Sequence, residues 1–299
     1  MTHLGTLTRV RIQLALRNKM FFFFSVVMPL GIFFLYAGIF AKGNPNDVRF
    51  FLGPVLALNV MGSFWGLSAT LVTFREQGIL RSFHVTPVTA VDMLASSVLA
   101  NFVLTIPTFV AQLVFARFIF HVHDLGNFLS MFILVGIGTI SFGSLGLVVA
   151  SITNTMQETQ VLNQIIWLPM LFLSGATFPL AFLPKVVQSF SVFLPATYLV
   201  TALQLACFLS TSITKLMLPF GLLALWSALT FFVSAQLFRW EPEAKIPRNA
   251  KLLALATIIP FLVLGVVENH TGFLKSQAQS AYQTLDKMNQ ARPQAQQTK

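Results

Sequence analysis

The chain alternates long apolar runs with short polar breaks. Uncharged stretches cover residues 20 to 41, 50 to 74, 93 to 116, 125 to 157, 159 to 184, 186 to 214, 216 to 238 and 252 to 267. A helix needs roughly 20 apolar residues to cross a bilayer, so the pattern predicts an all-α bundle in a membrane. Eight runs need not mean eight crossings. Ahead of them, residues 2 to 19 place Leu4, Leu7, Val10 and Leu14 on one helical face with Arg9 opposite. This is the pattern of an amphipathic helix lying on the membrane surface, with Arg11 at the stripe's edge and snorkelling.

The most informative break is Phe74 to Asp92. Gly78 and Pro87 keep it from continuing either neighbouring helix. Thr86 before Pro87, or Thr89 three residues ahead of Asp92, can cap a new helix running on from Met93. The expected element is a short helix along the membrane face, carrying Arg75, Glu76 and Arg81 among Leu80 and Phe83, then a turn and a fresh span.

Charge placement orients the spans. With the N-terminus inside, Arg9, Arg11, Arg17, Lys19, Arg75 and Arg81 are cytoplasmic, and the Lys42/Arg49, Arg117 and Lys185 loops are external. A full crossing by residues 186 to 214 would put Arg239, Lys245, Arg248 and Lys251 outside, so that run is expected to dip in and return. Pro195 near its middle fits a broken helix inside protein. The run 252 to 267 has only 16 residues and is read as a marginal seventh span rather than an interfacial helix. In the Gln-rich tail, Leu274, Ala278, Ala281, Leu285 and Met288 recur at spacings of four and three. An amphipathic helix and a solvated, partly disordered end both fit this stretch.

Composition agrees with this picture. The 299 residues are 56% apolar and 9% charged, against about 25% charged in soluble domains. One multi-span membrane domain follows, with a retained first span rather than a removed signal peptide. The formal charge of +10 is spread beside apolar runs, which marks topology rather than nucleic-acid binding. Cys207 stands alone and forms no internal disulfide.

Several chemistries are excluded. Gly38 to Gly43 has Walker-type glycine spacing but Asn44 where a lysine must reach phosphates. Asp, Glu, Lys and Arg are missing from the interior of every proposed span, which disfavours a self-powered transporter. His121, His123 and Asp124 are too close together, with no second cluster, to make a metal site. Gly62-x-x-x-Gly66 lets helices approach closely, most simply within one subunit. Asn59, Asn101, Asn163 and Gln164 are polar residues in spans that either line a pathway or bond across helices.

Two motifs carry a resemblance. Arg75-Glu76-x-Gly78-x-Leu80-Arg81-x-x-x-x-Thr86-Pro87-Val88 resembles the cytoplasmic signature of ABC type-2 exporter permeases. The second block, Ser174-Gly175-Ala176-Thr177-Phe178-Pro179, Leu183-Pro184 and Leu194-Pro195-Ala196-Thr197-Tyr198, is similar to the family's region around the external hairpin. Gln77, Ile79 and Gln204 depart from the common pattern. The resemblance implies an interfacial helix at 1–19 and a six-span permease domain at 20–240, with a coupling helix at 74–87 and a re-entrant hairpin at 184–214. An extra apolar segment and external polar tail at 241–299 lie beyond it.

It further implies a non-enzymatic permease in the inner (plasma) membrane, N-terminus cytoplasmic, working as a homodimer or heterodimer. Each copy would rest on a separate ABC ATPase subunit that holds ATP and magnesium, the permease itself binding no cofactor or metal. Arg75, Glu76, Gly78, Leu80, Arg81, Phe83, Thr86 and Pro87 would couple to that ATPase. Ser174, Gly175, Phe178, Pro179, Pro184, Pro195 and Tyr198 would form the gate region. The cargo expected from an uncharged, aromatic-rich interior is hydrophobic or amphiphilic. The competing readings are a channel or secondary transporter acting alone, and a membrane-anchored assembly or sensor protein.

Overall fold

The computed structural model describes residues 2–19, 23–84, 88–240 and 249–297. Among them there is no strand. The helices are α1 (Thr2–Arg17), α2 (Ser25–Phe40), α3 (Pro45–Met61), α4 (Ser63–Glu76), α5 (Ile79–His84), α6 (Ala90–Phe118) and α7 (Phe128–Ile152). They continue with α8 (Met156–Leu173), α9 (Lys185–Ser191), α10 (Pro195–Phe208), α11 (Met217–Gln236), α12 (Ala250–Ala256), α13 (Ile259–Thr271) and α14 (Phe273–Gln297).

Among the described residues, five stretches are long and apolar enough to cross a membrane: Pro45–Glu76, Ala90–Phe118, Phe128–Ile152, Ile213–Gln236 and Leu252–Thr271. A sixth counts if α9 and α10, bent by 100°, are one span. Two runs read as spans from the sequence do not pass on these grounds. The described helix α2 has fewer than 18 residues. The first half of α8 carries Gln157, Glu158, Gln160, Asn163 and Gln164, which offset the apolar second half.

The bundle closes around α7. Its glycines let neighbours come close: a Cβ on Gly146 would lie 2.4 Å from the Phe64 carbonyl oxygen, and one on Gly138 2.8 Å from Val60. Gly53 of α3 presses likewise on α10, where a Cβ would stand 2.5 Å from the Gln204 Cα. Gly62 and Gly66 do not serve as the intrasubunit crossing the sequence suggested, since a Cβ on Gly66 meets nothing within 4 Å.

Polar contacts mark the two ends of the bundle. At one end Arg49 donates to Asp124 at 2.6 Å and to the Cys207 carbonyl at 3.1 Å, at the C-terminus of α10. At the other, Arg75 and Arg239 meet the C-terminus of α7. Between these ends α12 and α13 run the length of the bundle. Ala250 packs with Val148 and Ile152, whereas Asn269 donates to the Ser189 carbonyl at 3.1 Å.

The bend between α9 and α10 is fastened by side chains. The Tyr198 hydroxyl donates to the Val192 carbonyl at 3.0 Å and the Thr197 hydroxyl to Ser191 at 2.6 Å. Pro195 starts α10, where its missing N–H would have had no helical partner anyway. The tail takes the helical option. Leu274, Ala278, Ala281 and Leu285 are buried along α14, and Tyr282 meets Phe182 edge-on at 4.7 Å. Asn289 then bonds Asp47 at 2.9 Å, on the first turn of α3.

Candidate functional site at the turn between α4 and α6

Helix α4 ends at Glu76, and Gly78 turns the chain with φ +70°, a conformation that suits glycine. The short helix α5 follows. Helix α6 then begins at a capping box: the Thr89 hydroxyl accepts from the Asp92 amide at 3.1 Å, and the Asp92 carboxylate accepts from the Thr89 amide at 3.1 Å. Of the two caps legible in the sequence, Thr89 is the one used. Thr86 and Pro87 lie outside the described residues.

Arg75 is 1% exposed. Its guanidinium donates to the carbonyls of Ala150 at 2.9 Å and Thr153 at 2.6 Å. These are the last carbonyls of α7, which have no partner within their own helix and carry the negative end of its dipole. Arg239 reaches the same place from the end of α11, donating to Thr153 at 2.7 Å and to the Asn154 side chain at 3.1 Å. Glu76, which is exposed, accepts from the Met156 amide at 2.7 Å and so holds the first turn of α8. Thr155 and Glu158 complete that cap.

Two of the expected docking residues therefore point inward. Arg75 is occupied by α7 because burying its charge requires those carbonyls. Leu80 is 0% exposed and packs in an apolar cluster with Leu71, Met93, Leu94 and Leu147. It fastens α5 to its own bundle instead of offering an anchor to another chain. The surface left around the turn consists of Glu76, Gln77, Arg81 and Ser82, with Gly78 half-buried. Phe83 belongs to α5, and its side chain lies outside the described ones.

The residues named for the gate lie around the opposite end of α8. Ser174 is buried and accepts from the Ala176 amide at 3.3 Å, and Gly175 takes φ +90°. Phe178 is exposed, Pro179 buried, and Pro184 caps the start of α9 from an exposed position. Pro195 and Tyr198 are buried in the bend. The four pathway candidates do not form one line. Asn163 donates to Ser68 at 2.7 Å, joining α8 to α4. Gln164 faces outward, Asn59 has a buried and unpartnered Nδ2, and Asn101 lines a separate cavity against α1.

Three residues escaped the sequence reading. Arg239 entered only as a topology charge. Arg11 lies on the packed face of α1, not at a snorkelling edge, whereas Val10 and Leu14 are 46% and 54% exposed. Glu268 fell just past the last apolar run, yet it is buried near the end of α13 and accepts from the Leu274 amide across the turn at Gly272. No local signal in the sequence distinguishes these from ordinary interfacial charges.

Comparison with known proteins bears on this arrangement. The chain is 26% identical over 192 residues to the "Probable multidrug ABC transporter permease YbhS" of Escherichia coli (strain K12), covering 63% of this chain and 51% of that protein. It is 31% identical over 105 residues to "Nodulation protein J" of Rhizobium leguminosarum bv. viciae, covering 35% and 40%. With the "Linearmycin resistance permease protein LnrN" of Bacillus subtilis (strain 168) it shares 23% over 182 residues, covering 61% and 47%. The chain spans about half the length of the curated relatives it matches. No solved structure matches it. The family model described as "ABC-2 type transporter" matches residues 2–208, which takes in α1, the Gly78 turn, the α7–α8 junction and the bent α9–α10 pair. The chain belongs to the ABC-2 type transporter family.

Proposed function

We propose that this chain is the permease subunit of an ATP-driven exporter, with nucleotide hydrolysis carried by a separate ATPase seated against the exposed side of α5. The observation that carries this reading is the double attachment of the turn. Arg75 and Glu76 tie the end of α4 to both sides of the α7–α8 junction, at 2.6 Å to Thr153 and 2.7 Å to Met156. A push on α5 therefore reaches α4, α6, α7 and α8 together, which is what a lever needs. Closure of the ATPase would favour one of two arrangements of these helices through its differential affinity for them. In this reading the turn faces the cytoplasm, as does the N-terminus, and the membrane is the inner (plasma) membrane.

Six spans with a re-entrant external hairpin, 184–214, and a seventh span formed by α12 and α13 complete the proposed topology. A second copy would pack on the outer face of α8, where Val161, Ile165, Leu168 and Phe172 are 62%, 63%, 41% and 45% exposed at helical spacing. A pathway between two such faces would suit a hydrophobic or amphiphilic cargo, in keeping with the multidrug and linearmycin-resistance names of two relatives.

The test is co-purification of the ATPase with full-length permease carrying Arg81→Glu or Ser82→Trp, both on the exposed side of α5. Loss of the ATPase with unchanged permease yield is expected. Full retention in both variants refutes the docking surface.

A further inference from the structure

A cavity of about 560 Å³ lies between α1, α4 and α6, lined by residues that include Leu7, Arg11, Phe74, Met93, Asn101 and Leu104. Its size falls within the range of small-molecule sites. Its walls are mostly apolar, and its rim includes Val10 and Leu14, both exposed. Two side chains inside it lack what their chemistry asks for. The Arg11 guanidinium lies 5.6 Å from the centre of the Phe74 ring and donates to the Met93 thioether at 2.7 Å. A thioether is a weak acceptor, and no carboxylate among the described residues pairs with Arg11. Burial lowers its pKa to about 10, so it stays charged at neutral pH. Asn101, about two turns further along α6 than Met93, has a buried Nδ2 with no hydrogen-bond partner.

The order of these groups along α6 matches one kind of molecule. An unpaired cation stands near the start of the helix, an unused amide donor deeper, and apolar walls surround both. We propose that the α1–α4–α6 cavity binds an anionic membrane phospholipid. Arg11 takes the phosphate, Asn101 donates to a glycerol-ester carbonyl, and an acyl chain leaves past Val10 and Leu14 into the bilayer. Guanidinium recognises phosphate through directional, charge-assisted hydrogen bonds, and these replace the thioether contact. The proposal requires only that α4 and α6 cross the bilayer, and it stands apart from the ATPase reading.

The test uses the full chain in phosphatidylcholine nanodiscs doped with a phosphatidylglycerol probe that carries a photoreactive acyl chain. Adducts are mapped by mass spectrometry. Labelling of α1 and α6 is expected, falling at least fivefold in Arg11→Gln and less than twofold in Arg17→Gln, which removes the same charge from an exposed site on α1. Should Arg11→Gln not fold, Asn101→Leu reports instead, with a two- to threefold loss while the guanidinium remains. Unlabelled phosphatidylglycerol should compete, and phosphatidylcholine and water-soluble glycerol phosphate should not. Displacement by glycerol phosphate would mean a free-phosphate site and overturn the lipid assignment. Equal labelling by a phosphatidylcholine probe, or labelling insensitive to both variants, would overturn it as well.

Discussion

Arg75 and Arg239, 164 positions apart in the chain, donate to the same oxygen, the carbonyl of Thr153, at 2.6 and 2.7 Å. Two cations on one helix end are tolerable because that end carries negative partial charge and Glu158 and Glu76 lie close by. The junction of α7 and α8 is thereby clamped from two directions.

Removing half of this clamp should be costly. Arg75→Met leaves the Ala150 carbonyl without its donor and Thr153 with Arg239 alone, and a loss of about 2–4 kcal/mol is expected from charged hydrogen bonds in a buried place. Arg75→Lys should fall between, since an ammonium lacks the planar fork that reaches both carbonyls. Thermal unfolding of the purified protein in detergent measures the order wild type, Lys, Met.

Leu80 and Arg81 are adjacent and should behave oppositely. Leu80→Asp puts a carboxylate among Leu71, Met93 and Leu147, which costs several kcal/mol and should lower the yield of folded protein. Arg81→Glu changes an exposed side chain, where an interaction contributes at most about 1 kcal/mol, so stability should fall far less than in Leu80→Asp while ATPase association is lost. Equal stability of the two variants would contradict the inward position of Leu80.

The tail helix makes a third prediction. Tyr282→Ala removes an edge-on contact with Phe182 and a second, looser one with Phe50 at 6.5 Å. A loss of about 1–3 kcal/mol is expected for so large a truncation at a half-buried site. Hydrogen exchange should localise it, with faster exchange along residues 273–297 and little change in α7.

Asp124 gives a pH dependence. Burial alone would raise its pKa, but the Gly126 amide, Arg49 and Ser210 outweigh it, and the carboxyl lies below its ordinary 3.8. A depressed acid adds stability above its unfolded value and loses it as pH falls through the folded value. Wild type should therefore exceed Asp124→Asn in thermal midpoint near pH 7, by a small margin because the side chain is 60% exposed. The margin should shrink as pH falls below 3.8 and vanish once pH has passed through the folded value.

The helical membrane class, the Gly78 turn and the Thr89 cap were legible because each depends on local chemistry: apolar length, a positive φ, and a hydroxyl three residues before an acid. The inward turn of Arg75 and Leu80 was not. Their burial is set by α7 and α6, which approach from distant parts of the chain, and sequence spacing alone puts charged residues outside. Arg11 illustrates the same limit, for its helical face looked mixed until α6 was found packed against it. The tail was half legible. Its spacing of four and three fitted a helix, but the surface that makes one worthwhile in so polar a stretch, including Phe50, Phe182 and Asp47, comes from distant parts of the chain.

The bond between Asn289 and Asp47 joins positions 242 apart. It cannot form until synthesis has passed residue 289, long after α3 has entered the bilayer. Arg49 can already be tied to Asp124 and Cys207 by then, so the tail's bond to Asp47 is a late reinforcement of that end in maturation.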